Sequence, residues 1–230
     1  QLVSKINICE SKDYNLSAER YKSNGDEKYY WPMVRLGNEE FFRIESGGTP
    51  SSSKREYWDG EIPWVTLVDL PQKDIVTFIN STQRKISEAG YKHSSAKIIP
   101  KNSVLISSRA TIGRIAVNLI ELATNQGFKN IIILDKTKVD TRYLAYVLTG
   151  LVDRMNELGS GGTYKEISKS TLSTLEIPLP SLDKQHAIVG EIEGYQKVID
   201  GARQVVENFK PTVPINPSWP NVRLQEISQV

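Results

Sequence analysis

Residues 182–209 read LDKQHAIVGEIEGYQKVIDGARQVVENF. Apolar side chains fall at Ile188, Ile192, Tyr195, Ile199, Ala202, Val206 and Phe209, alternately four and three apart. That register is the seam of a left-handed helix pair. The remaining face carries Glu191, Glu193, Gln196, Lys197, Arg203, Gln204 and Glu207. A helix of this length runs about 40 Å, the width of a small domain. Ile177-Pro178-Leu179-Pro180 leads in as an extended run, Ser181 fits an N-cap, and Lys184 or Gln185 takes the third capping position. Pro211 and Pro214 mark the exit. An ordinary amphipathic surface helix is the plain alternative; the unbroken register favours an arm paired with another long helix.

Downstream, Trp219-Pro220-Asn221-Val222-Arg223-Leu224 matches Trp31-Pro32-Met33-Val34-Arg35-Leu36 at five of six positions. An internal duplication explains the match, with a second repeat opening at Trp219. Together with a start at Gln1, it gives the expectation of a piece of a longer polypeptide.

Upstream of the helix the texture is α+β. Residues 1–30 are polar, with a short helix expected over Asn15–Arg20 and a linker over Ser23–Lys28. Strands are expected at Glu61–Thr66, Ala96–Ile99, Ser103–Ile106, Arg114–Asn118, Asn130–Leu134 and Leu175–Leu179. Pro63 suits a sheet edge or strand start. Helices are expected at Ser87–His93, from Ser168, and over Asp140–Leu158, where Tyr143, Leu144, Val147, Leu148, Leu151, Val152 and Met155 share one side. The expected fold is thus an α+β globule of short strands and helices over 31–180, then a coiled-coil-forming spacer helix over 181–210. Residues 211–230 read as linker and repeat opening.

The chain has 230 residues, 39% of them hydrophobic and 24% charged, with a net charge of +2. This is the composition of an ordinary globular protein. A lone Cys9, with only His93 and His186, argues against disulfides and structural zinc and makes a reducing cytoplasm the expected compartment. No apolar run approaches a membrane span, and none is expected.

Charge distribution is more informative than net charge. Ala89–Ile120 holds Lys92, Lys97, Lys101, Arg109 and Arg114 without one Asp or Glu, whereas the long helix is acid-rich. Such a span reads as a polyanion-binding face or as a solvated stretch that lacks acids. Ser107, Ser108, Arg109 and Thr111 combine hydroxyls with a guanidinium suited to phosphates and base edges. Asn125 and Gln126 carry amides able to pair bidentately with adenine, or to hold a turn. Two glycine-rich loops, at Gly47 and Gly159, could bring backbone amides to phosphate; they carry Thr49 and Ser51, and Thr163, Tyr164 and Lys165. Neither has the nucleoside-triphosphate loop spacing.

Catalytic sets are not found. There is no adenine-methyltransferase Asn/Asp-Pro-Pro-aromatic motif, no metal-dependent nuclease acid set and no serine elbow. A recognition module is favoured over a methyltransferase or nuclease domain, and the acid-free span argues against a bare coiled-coil scaffold.

In order, these motifs resemble the target recognition domain of type I restriction–modification specificity subunits. They are Trp31-Pro32-x-Val34-Arg35-Leu36, Gly47-Gly48-Thr49-Pro50-Ser51, Ile62-Pro63-Trp64, Ile112-Gly113-Arg114, Asn125-Gln126-Gly127 and Ile177-Pro178-Leu179-Pro180-x-Leu182-x-x-Gln185. Asp13-Tyr14-Asn15-Leu16-Ser17 to Arg20-Tyr21 also resembles the tail of the partner adenine methyltransferases, which suggests a fused parent with residues 1–30 as that tail. The resemblance implies recognition of half of a split site in double-stranded DNA. It implies a spacer helix packed against that of a second repeat, and S-adenosylmethionine on the methyltransferase rather than on this chain; the unpartnered seam itself adds the expectation of pairing with a second copy.

Overall fold

A computed structural model describes residues 31–71, 75–161 and 165–209, with Ser218 and Pro220. The expectations for residues 1–30, Thr163, Tyr164, Pro211, Pro214 and the rest of the repeat opening lie outside the described residues.

The centre of the fold is built from strands without an exposed–buried alternation. These are β6 (Val104–Ser107), β7 (Ile115–Asn118) and β9 (Phe128–Ile133), buried along their whole length. A strand buried on both faces reads as a continuous apolar run. With β2 (Phe42–Ser46) and β4 (Thr77–Ile79) at the edges they form one sheet, in the order β2-β9-β6-β7-β4. Only the β4–β7 pairing is parallel. Successive side chains feed two cores. Val104, Ile106, Ile115, Val117, Ile131 and Ile133 face the helices; Leu105, Ala116, Phe128 and Ile132 face Val65, Leu70, Ile79, Ile99 and Leu122.

The helical side holds α2 (Thr141–Thr149), α3 (Val152–Leu158) and α4 (Lys169–Ser173). A single helix over Asp140–Leu158 was the expectation; the structure breaks it at Gly150. There Gly150 N donates to Val147 O and Leu151 N to Leu148 O, two tight i→i−3 bonds that end the first helix. Tyr143 is buried, and its hydroxyl donates to Pro178 O at 2.9 Å. Burial pushes that phenol up to about 12.

On the other side β5 (Arg84–Ile86), β3 (Trp58–Val65) and β8 (Ala123–Thr124) form a three-stranded sheet in that order. Pro63 thus lies in the middle strand. It is tolerated because β8 pairs only with Trp64 and Val65, leaving that side open at the proline. The short α1 (Glu88–Lys92) follows, capped by Ser87 accepting from Gly90 N. The Ala96–Ile99 stretch makes only a bridge, Ile99 to Leu122. Finally β1 (Met33–Arg35) pairs antiparallel with β10 (Glu176–Pro178), joining the two ends of the globule.

The long helix α5 spans Leu182–Asn208. Ser181 makes no side-chain cap, and Gln185 does not complete one. Gln185 instead turns inward and is fully buried: Nε2 donates to Lys138 O and Pro180 O, both at 2.8 Å, and Oε1 accepts from Asp140 N at 2.9 Å. Val189 is buried beside it, and Arg142 pairs with Glu193 at 3.2 Å. The first turns of α5 therefore dock on α2, with Ile188 and Ile192 half-covered. Beyond them Tyr195, Val198, Ile199, Val205, Val206 and Phe209 are exposed, as is Ala202.

Candidate nucleic-acid interface

Arg109 sits on the turn between β6 and β7. Ser107 and Ser108 beneath it are fully buried. Ser107 Oγ donates to Thr111 O (2.5 Å) and accepts from Arg114 N (2.9 Å), and Ser108 Oγ accepts from Lys129 Nζ (3.4 Å). Both serines are the internal frame of the turn and are removed from the contact set. Ala110 stands at φ +64°, a left-handed conformation that a non-glycine residue holds only under local constraint. The result is a fixed turn with Arg109 and Thr111 exposed at its tip.

Behind it lies a half-buried ion pair. The Lys129 side chain is 7% exposed, and its ammonium is 3.2 Å from Glu166 Oε1. Backbone bridges tie Glu166 to Arg109 and Ser160. Ala110 N donates to Lys165 O, which sets the exposed Lys165 beside the turn. Arg114 has a holding role: its Nη1 donates to Leu67 O and Leu70 O, which ties down the loop after β3.

The β8–β9 turn supplies the amides. Asn125 Oδ1 accepts from Gly127 N at 2.8 Å, and Gln126 Oε1 accepts from the Thr49 hydroxyl. Each carbonyl oxygen takes one hydrogen bond within the protein, so the amides hold the turn, and each keeps a second lone pair beside its NH2 donors. A cleft of about 430 Å³ beside this turn is lined by Leu67, Arg109, Ala110, Asn125, Gln126, Gly127 and Phe128.

The Gly47–Ser51 loop runs alongside. Gly47 N donates to Phe128 O and Gly48 N to Thr124 O, so these amides are not available for phosphate. A Cβ on Gly47 would strike Asn125 O, and one on Gly48 the backbone at Ser95 and Ala96. Close packing explains both glycines. Thr49 and Ser51 remain exposed at the loop surface.

The acid-free span is not one face. Lys101 precedes β6 and Arg109 follows it, so they stand at opposite ends of a buried strand. Lys92 is exposed and lies 3.7 Å from Glu88; Lys97 is exposed near the Gly48 loop.

Sequence reasoning missed one group. Trp58 Nε1 donates to Ser51 O (3.2 Å) and Trp64 Nε1 to Gly48 O (3.0 Å). The Arg84 guanidinium lies over both rings, 4.1 Å from the Trp58 centroid and 5.2 Å from that of Trp64. Two tryptophans on one strand were the available signal; nothing in β5 marked Arg84. A continuous row therefore runs from Arg109 through Asn125, Gln126, Thr49 and Ser51 to Arg84. Among the described residues no group of three or more His, Cys, Asp or Glu could hold a metal, and no helix is long and apolar enough to cross a membrane.

Residues 30–205 match the Type I restriction modification DNA specificity domain. The chain belongs to this family. It is 34% identical over 174 residues to the MjaIX type I restriction enzyme specificity subunit of Methanocaldococcus jannaschii, covering 76% of this chain and 40% of that one. It is 30% identical over 152 residues to the HindI specificity subunit of Haemophilus influenzae, covering 66% of this chain and 32% of that one. The specificity domain spans less than half the length of either relative. Its fold matches the HsdS subunit of Thermoanaerobacter tengcongensis with a TM-score of 0.59 at 21% identity, over 80% of this chain and 42% of that one. Several motifs behind the resemblance are framework in this specificity domain: Gly47 and Gly48 permit close packing, Trp64 ties that loop, and Gln185 fastens α5.

Proposed function

We propose that this specificity domain reads one part of a split duplex-DNA target in a type I restriction–modification complex, itself performing no catalysis. The supporting observation is the row of surface guanidinium, amide and hydroxyl groups from Arg109 to Arg84, held on a frame fixed by the hydrogen bonds of Ser107, Ser108 and Trp64. The exposed stripe on α5 pairs with the corresponding helix of a second recognition unit or with a second copy. An adenine methyltransferase, as a separate subunit or a fused domain, is positioned by this assembly in the cytoplasm and carries S-adenosylmethionine.

The test separates reading from charge. Arg109→Ala lowers discrimination between preferred and scrambled duplexes by about 1–3 kcal/mol. Lys101→Ala, at the far end of β6, leaves affinity within about twofold, since lone exposed charges contribute little beyond a Debye length. Wild-type affinity falls roughly a thousandfold for about six phosphate contacts as salt rises from about 50 to 200 mM. A flat salt response, or equal loss from both variants, refutes the reading.

A further inference from the structure

Arg84 is exposed, yet its guanidinium is not loose. A β-bulge between Trp58 and Ile62, where Asp59 stands at φ +56°, returns Trp58 to the side of Trp64. The two indoles meet edge to face with centroids 5.1 Å apart. Each indole N–H is anchored on the backbone of the Gly48–Ser51 loop. Arg84 pairs across the sheet with Trp64 and lies over both rings. Such cation–π contacts hold a guanidinium in place without using its N–H donors. Among the described residues, that guanidinium has no carboxylate or carbonyl partner in the ion pairs and hydrogen bonds found. Its donors are thus left free and held beside the Gly48–Ser51 loop, part of the proposed DNA-contacting row.

We propose that Arg84 is a specificity-determining residue whose planar fork takes the O6 and N7 acceptors of a guanine in the major groove. This rests on the DNA-recognition reading above. The tryptophans are positioning residues that aim the fork. A lysine at this position would keep the charge and could still meet a phosphate, but it could not present two coplanar donors.

The experiment selects bound duplexes from a pool with a randomised centre, using the full chain, and sequences them for wild type, Arg84→Lys and Arg84→Gln. Tryptophan fluorescence melts check that each variant is folded, and Arg84→Gln stands in should Arg84→Lys fail to fold. Wild type enriches a motif containing guanine at a fixed position. In both variants the preference at that position falls about tenfold or more while the other positions keep theirs. An unchanged motif in the variants, at equal or uniformly lower affinity, overturns the proposal and makes Arg84 a phosphate contact or a packing residue. No motif from folded wild type overturns the DNA-recognition reading itself.

Discussion

Replacing Gln185 by alanine tests whether one side chain fastens α5 to the globule. Three backbone groups depend on it: Lys138 O, Pro180 O and Asp140 N. A buried polar group left unpaired costs about 1–3 kcal/mol. The three are neighbours, and a water entering the vacated space would serve more than one, so their penalties do not add in full. The expected loss is about 3–5 kcal/mol, roughly a fifth or more of the ~5–15 kcal/mol that holds a typical domain together. Gln185→Glu keeps the size but sets a carboxylate against two carbonyl oxygens. A carboxyl so placed has its folded pKa raised above the unfolded value of about 4.3. The variant therefore keeps the most stability below that pH and loses it progressively as pH rises toward the raised folded value. Urea denaturation followed by tryptophan fluorescence between pH 4 and 8, with hydrogen exchange at the Asp140 amide, measures both effects. An alanine variant within about 1 kcal/mol of wild type, or a glutamate variant flat in pH, refutes the fastening role.

Other perturbations probe other parts. Glu166→Ala strands the buried Lys129 ammonium and costs about 1–3 kcal/mol, discounted because the Glu166 side chain is 41% exposed; Lys129→Met costs less, and equal losses in urea melts would contradict the asymmetry. Ile199→Lys with Val206→Lys abolishes the helix-mediated dimer expected at high micromolar concentration, both positions being exposed; a wild-type monomer in sedimentation would remove that role. Because Tyr143 ionises only near 12 rather than 10.0, stability is unaffected below about pH 10 and falls between there and 12. Tyr143→Phe lessens that slope and costs about 1 kcal/mol at neutral pH through the lost bond to Pro178 O; an unaltered slope in alkaline melts would assign it elsewhere.

The long helix was legible because its period is unambiguous, and the central strands because residues 104–106, 115–117 and 131–133 are short apolar runs between turn signals. The break between α2 and α3 was not. Both pieces pack Leu144, Leu148 and Met155 into one core, so the apolar period continues through it, and Leu151 offers no side-chain cap to announce the restart. Charge misled for a related reason. A basic run that is contiguous in sequence was threaded through the sheet, which sent Lys101 and Arg109 to opposite ends and turned Arg114 onto carbonyls. Arg109, Thr49, Asn125 and Gln126 do come together, because two turns and a glycine loop converge there. Arg84 could not be anticipated: its role depends on a bulge that brings Trp58 beside Trp64, and a three-residue strand carries no period.

The clasp between β1 and β10 has a bearing on synthesis. Met33 pairs with Pro178, and Arg35 both pairs with and ion-pairs to Glu176. The first strand therefore leaves the ribosome long before its partner exists. At about 5–20 residues per second, that interval is roughly 7–30 s. Until then Val34 lacks its partner Ile177, and Leu36 lacks the Leu175 carbonyl that its amide uses. An unpaired strand edge is open to other chains throughout that interval. Closing the globule is thus a late event in translation, and the nascent segment before Gly37 is where a chaperone would be most needed.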